Sequence, residues 1–195
     1  MLPPFPNLRQ MSVPNQDFQT NSNFSNTASL LWHAYHSLPS PSSSVNWAGF
    51  YFTSPTNASQ LLLGPFQGQV ACQTIHFGRG VCGTAAKEAK TQLVADVEMF
   101  PGHIACDGRS RSEIVVPVVQ GGKVCSFSFV PCVNEELNDG IRRAAGSKMG
   151  MKELLTRAQV VAIIDIDCAE LNGFNAEDQA ALEELAELLA QSCDF

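Results

Sequence analysis

Hydrophobic positions along this chain follow two rhythms. Within residues 25–38, Leu30, Leu31, Ala34, Tyr35 and Leu38 fall at helical spacing, and Asn26 or Thr27 is placed to cap. The Pro-Ser-Pro-Ser-Ser-Ser run at 39–44 ends that pattern. The spacing then becomes that of strands. VNWAGFYF (45–52) is aromatic and β-prone, and QLLLG (60–64) is its partner across a turn. VACQTI (70–75) alternates, which puts Cys72 on the face opposite Ala71. A glycine turn leads into a short helix at 81–89. QLVA (92–95), EIVVPVV (113–119) and VVAIIDID (160–167) read as three further strands. In a last helix, 176–192, Leu182, Leu185, Ala186 and Leu189 face inward, and Glu183, Glu184 and Glu187 face outward. Asn175 caps it, with Asp178 where a capping box places its acid. Short strands with a helix at each end predict an α+β domain: one mainly antiparallel sheet with helices against a face.

Three stretches stand outside this scheme. Residues 1–23 are rich in Pro, Asn, Gln and Ser without a period, and read as a loose N-terminal segment. Residues 96–111 form a long loop, the kind of segment that carries function in compact domains. Residues 124–159 break into the Gly-Gly turn expected between the last two strands.

Composition narrows the function classes. A length of 195 residues suits one domain, and 45% hydrophobic residues are enough for a core. A net charge of −7 argues against nucleic acid as a general partner. No apolar run approaches bilayer length, so no membrane partner is expected. The first residues lack the charged-then-apolar order of a secretory signal. An intracellular, cytoplasmic location is the expectation, with the nucleus as an alternative.

Seven cysteines in such a chain are more readily catalytic, free or metal-bound than structural disulfides. The gaps Cys72-x9-Cys82, x23 to Cys106, x18 to Cys125 and x6 to Cys132 contain no C-x2-C pair, so no structural zinc knuckle is expected. Cys168 and Cys193 read as small core residues. Cys106 lies in a glycine-punctuated loop between His103 and Asp107, with Arg109 and Arg111 close enough in sequence to favour its thiolate. Cys82 opens a short helix, whose N-terminus also favours an anion. Loop, helix start and strand bring Cys106, Cys82 and Cys72 together if they converge in space. His33 and His36 are expected at or near the surface, and His76 is expected to pack.

Asp165 and Asp167 alternate on an otherwise apolar strand, so both carboxylates share one face. That face is either plain exposed sheet or a pocket that also takes in Glu113. Clustered acids raise one another's pKa, so one stays protonated and donates while an ionised one binds an ammonium group. Trp47 and Tyr51 either wall such a pocket or pack as ordinary sheet residues.

VNWAGFY, LLLGPFQG, ACQTIHFGRGVCGTA, DV-x-x-FPGHIACD, SEIVVPVV and IIDIDC together resemble the free methionine-(R)-sulfoxide reductases, a catalytic branch of the GAF-domain superfamily. The resemblance covers about residues 28–123 and 160–190 and implies a six-stranded antiparallel sheet with helices. It further implies free methionine-(R)-sulfoxide as substrate, Cys106 as the usual nucleophile, and Cys72 and Cys82 as the cysteines that resolve its sulfenic acid, with Cys82 as the alternative attacking residue. Glu113, Asp165 and Asp167 match the acidic substrate-binding residues, and Trp47 and Tyr51 the pocket aromatics. No metal or bound organic cofactor is implied. Thioredoxin is the implied external reductant, fed indirectly by NADPH, and a homodimer follows by analogy. The rival function is a non-catalytic GAF sensor of a small ligand or of redox state.

Removing residues 124–159 gives VVPVVQGGKVVAIIDIDC, an unbroken hairpin. The genetic code permits Val124-Cys125 to read GTATGT, Gln159 to read CAG, and Leu155-Thr156 to contain CTAAC. These are an intron start, an intron end and a branch site, so a retained intron read through in frame is the expectation. A genuine surface insertion is the alternative. Cys125 and Cys132 are assigned no function on this reading.

Overall fold

The computed structural model describes residues 15–102, 108–121 and 159–193. Six strands form one antiparallel sheet: β1 (Val45–Ser54), β2 (Asn57–Gly68), β3 (Thr74–His76), β4 (Gln92–Val94), β5 (Ser112–Gln120) and β6 (Gln159–Cys168). Their spatial order is β3-β2-β1-β6-β5-β4, so the first and last strands lie side by side at the centre. Helices α1 (Asn15–His36) and α3 (Ala176–Ser192) cover one face, and α2 (Gly80–Glu88) packs on the other. This is the expected α+β architecture.

Period-two alternation divides the side chains between two cores. Ala48, Phe50, Ile114, Val116, Ile164 and Ile166 face α1 and α3. Trp47, Tyr51, Val115 and Ile163 face α2. The central strands are buried on both faces, which is why they read as near-continuous apolar runs rather than as clean alternation.

The helix at the N-terminal end begins at Asn15, not near residue 25, so residues 15–23 are helical rather than loose. Phe24 is fully buried, edge-on to Phe50 at 4.6 Å and to Phe52 at 4.9 Å between ring centroids. This anchor gives a polar stretch a reason to stay helical. Neither Asn26 nor Thr27 caps, because both lie inside α1; the Thr27 hydroxyl donates back to the Asn23 carbonyl, as the Ser25 hydroxyl does to Asn21. The buried stripe is Phe24, Ala28 and Tyr35, flanked by Leu31 and Trp32, whereas Leu30, Ala34 and Leu38 are exposed. The expected inward face was therefore turned by about one residue.

Two strands differ in extent. β2 continues through Gly64 and Pro65 because β1 pairs with it again beyond them, from Gly49 back to Trp47. Gly49 pairs with Phe66 and Tyr51 with Leu63, so β2 carries one extra residue, a β-bulge that absorbs the proline. β3 keeps only Thr74–His76; residues 70–73 leave the sheet, and Val70 is 86% exposed. Cys72 is therefore on a loop and not in a strand. His76 is exposed rather than packed. At the other end, Asn175 accepts from Glu177 and Asp178 while Asp178 accepts from the Asn175 backbone, which completes the expected capping box of α3.

β5 and β6 pair up to Gln120 and Gln159, so Gln159 belongs to β6. Residues 122–158, nearly all of the expected insertion, lie outside the described residues. The register still bears on them. Val119 pairs with Val160, so excising 124–159 leaves only residues 120–123 to join a paired position, an ordinary hairpin loop length. Shortening a loop tenfold lowers its closure cost by about 2 kcal/mol. The excised chain is expected to keep the same circular dichroism and to unfold at a higher temperature. Loss of cooperative unfolding would show instead that the segment is part of the fold.

Candidate active site

The α2 side of the sheet carries an ordered row of side chains. Trp47 pairs with Asp167, and Asp167 with Glu113, across β1, β6 and β5. One step along, Gly49 pairs with Asp165 and Asp165 with Val115. Because the side-chain period is two, Asp165 and Asp167 share this face, as their spacing predicts. Glu113 and Asp165 are buried, and Asp167 is half-buried.

α2 closes over the row and delivers Cys82. Its thiol is buried and donates to Glu113 Oε1 at 3.5 Å. Cys82 Sγ and one carboxylate oxygen each from Glu113 and Asp165 all lie within 4.8 Å of one another. Asp165 Oδ1 is buried and has no hydrogen-bond partner among the described residues. A buried polar atom without a partner is costly.

Electrostatics here favour protons over charges. Burial pushes the Glu113 carboxyl well above its usual range, and the charges of Asp165 and Asp167 push it further. Burial raises Asp165 to about 6, against opposing hydrogen bonds from Cys82 and Glu113. Cys82 is also raised, by burial first and by Asp165 and Glu113 next. This reverses the expectation that its helix N-terminus makes Cys82 a thiolate. The fractional charge of a helix end is outweighed by burial and two adjacent carboxyl groups.

An aromatic wall borders the acids. Trp47 stacks on Tyr51 with centroids 5.9 Å apart, and on Phe66 at 5.3 Å and 14° between planes. The Trp47 indole N–H donates to the Gln69 carbonyl at 3.1 Å. Phe66 was not among the expected site residues. Its signal is Pro65 inside a strand, which marks the bulge that aims Phe66 at Trp47. Gly49 was missed as well. A Cβ there would lie 2.7 Å from the Trp47 ring and collide with Phe66. Gly49→Ala is expected to displace the indole and raise KM for the substrate at least tenfold, with kcat changed less. Steady-state kinetics check this, and an unchanged KM would mean that the aromatic wall does not touch substrate.

Of the three expected redox cysteines, Cys72 sits in a disulfide, on its loop beside β3. Cys82, Cys168 and Cys193 are free and buried. Cys168 and Cys193 belong to the α1 and α3 core, as expected. Cys106, with His103 and Asp107, lies outside the described residues. Arg111 is exposed, and its backbone ties the loop to the sheet through the Cys168 carbonyl and the Val97 N–H. Among the described residues no helix is long and apolar enough to cross a membrane.

The GAF domain family model matches residues 29–193. Free methionine-R-sulfoxide reductase of Saccharomyces cerevisiae is 44% identical over 173 residues, covering 89% of this chain and 75% of that protein. Its namesake in Escherichia coli is 34% identical over 160 residues, covering 82% and 69%. The structure of the Neisseria meningitidis free methionine-R-sulfoxide reductase in complex with its substrate superposes with a TM-score of 0.62. That match has 34% identity and covers 89% of this chain and 77% of the other. A buried cluster of acids and a cysteine, bordered by stacked aromatics on this fold, together with these relatives, leads to one conclusion: the chain belongs to the GAF-domain family, in the branch of the free methionine-R-sulfoxide reductases.

Proposed function

We propose that the chain is an enzyme that reduces free methionine-(R)-sulfoxide to methionine, using the Trp47–Asp167–Glu113 row as the substrate pocket. The observation that carries this reading is the buried cluster of Cys82, Glu113 and Asp165 beside that row. It holds the Glu113 carboxyl, which burial keeps protonated, within reach of a half-buried carboxylate and an indole face. A free amino acid brings an ammonium group and a sulfoxide. An ionised carboxylate of the row binds the ammonium, Trp47 and Tyr51 pack the methylenes, and a protonated carboxyl serves the sulfoxide oxygen.

Cys106 is the nucleophile in this reading. Its thiolate attacks the sulfoxide sulfur, and a proton passes from Glu113 or Asp165 to the oxygen. The oxygen ends on the cysteine, so methionine leaves reduced by two electrons and Cys106 becomes a sulfenic acid. The thiol of Cys72 then displaces water and forms the Cys72–Cys106 disulfide. A dithiol protein of the thioredoxin kind restores both thiols by exchange. Two observations support this division of roles. Cys72 is engaged in a disulfide, whereas Cys82 is a buried thiol whose ionisation burial and adjacent acids oppose. Cys82 serves as a hydrogen-bond donor that positions Glu113.

Incubation with racemic free methionine sulfoxide and a small dithiol, followed by chiral separation, tests the substrate assignment. The (R) form is expected to disappear and the (S) form to remain, with peptide-bound sulfoxide untouched. Tight binding of methionine sulfoxide without turnover would favour a non-catalytic sensor.

A further inference from the structure

We propose that Cys82, Glu113 and Asp165 also form an inhibitory site for a thiophilic divalent cation, zinc being the best fit. The three side chains come from α2, β5 and β6, which is why cysteine spacing along the chain gives no sign of them. One thiol with two carboxylates is a donor set of borderline softness, suited to zinc and its neighbours rather than to magnesium or calcium.

Distances agree with this choice. A tetrahedral zinc with sulfur at about 2.3 Å and oxygen at about 2.1 Å holds those two donors about 3.6 Å apart. Cys82 Sγ and Glu113 Oε1 are 3.5 Å apart. All three donors lie within 4.8 Å of one another, so closing around a cation needs only side-chain adjustment. A second observation concerns the hydrogen bonding of Asp165 rather than the spacing of the donors. Asp165 is 5% exposed, yet its Oδ1 has no hydrogen-bond partner among the described residues. A metal supplies the missing electrophile there. When the metal binds, the S–H and O–H protons leave to solvent as the metal–sulfur and metal–oxygen bonds form, and no redox change occurs.

The inhibitory part rests on the reductase reading. The carboxyl groups that serve the sulfoxide would be occupied by the cation, so metal and substrate exclude each other.

Cobalt(II) is the probe for binding, because a cobalt–thiolate bond gives a charge-transfer band. The full-length protein, with its cysteines reduced, is titrated with cobalt and then with zinc. The expected result is one equivalent bound with a thiolate band, which zinc then bleaches. Cys82→Ser is expected to abolish the band, and Glu113→Gln to weaken binding at least tenfold. Cys72→Ser and Cys106→Ser are expected to keep both band and affinity. A band that survives Cys82→Ser, or is lost in Cys72→Ser or Cys106→Ser, would overturn the site, as would unaltered affinity in the Glu113→Gln protein. Zinc is expected to inhibit sulfoxide reduction competitively and reversibly by chelator. Binding without any sulfoxide reduction by the metal-free protein would retain the site and refute the reductase reading. Reduction that zinc leaves unaffected would refute the inhibition.

Discussion

Cys106→Ser is expected to leave the fold intact and to lower kcat for free methionine-(R)-sulfoxide by at least about a thousandfold. The size follows from the chemistry. A serine hydroxyl has no thiolate form near neutrality, is a poor nucleophile toward sulfur, and cannot carry the oxygen as a sulfenic acid. Cys72→Ser behaves differently. It is expected to complete one turnover and then stall as a sulfenic acid, with slow recycling only by excess small thiol. Cys82→Ser keeps a hydroxyl that donates to Glu113, so it is expected to lose about tenfold or less. Steady-state rates with a dithiol, set beside a single turnover without one, separate the three variants. Full activity in Cys106→Ser would transfer the attack to another sulfur.

Asp165→Asn is expected to raise stability while it lowers activity. The folded protein lifts Asp165 to about 6, well above its ordinary value near 4. Below about pH 4 both folded and unfolded chains hold the proton, and burial costs no ionisation. As pH rises, the unfolded chain releases its proton first, so the folded state is progressively penalised until the pH passes about 6. Near neutrality that penalty is of order 2–3 kcal/mol. Asparagine cannot ionise, so the penalty disappears. Thermal denaturation at pH 7 is expected to shift upward by on the order of 5 °C, and the loss of stability between pH 4 and 7 to flatten. The same change removes a proton donor or ligand from the pocket, worth roughly a hundredfold or more in kcat/KM. A variant that is both less stable and fully active would show that Asp165 is an ordinary structural acid. The trade is that of a site kept unsatisfied for a substrate.

Much of this was legible in the residues. The period-two spacing of Asp165 and Asp167 placed them on one face, and strand order then brought Glu113 and Trp47 beside them. The capping box of α3 was visible because its signals are local. What escaped was set by tertiary contact. Residues 15–23 look unpatterned, yet their helix is continuous with Phe24, whose burial between Phe50 and Phe52 no local spacing reveals. Alternation in VACQTI suggested a strand where the chain had already left the sheet edge. The proton-holding state of Cys82 escapes the sequence because helix position is visible there, whereas the carboxyls packed against it are not. The Gly49 and Phe66 support of Trp47 depends on a bulge that only the pairing register discloses.

The most direct test is a single turnover of the reduced protein with free methionine-(R)-sulfoxide in the absence of any reductant. One methionine per chain should be released, and peptide mapping should find Cys106 joined to Cys72, with Cys82 still open to alkylation after unfolding. Release of methionine with Cys82 in the new disulfide, or no release at all, would contradict the chemistry assigned to this pocket.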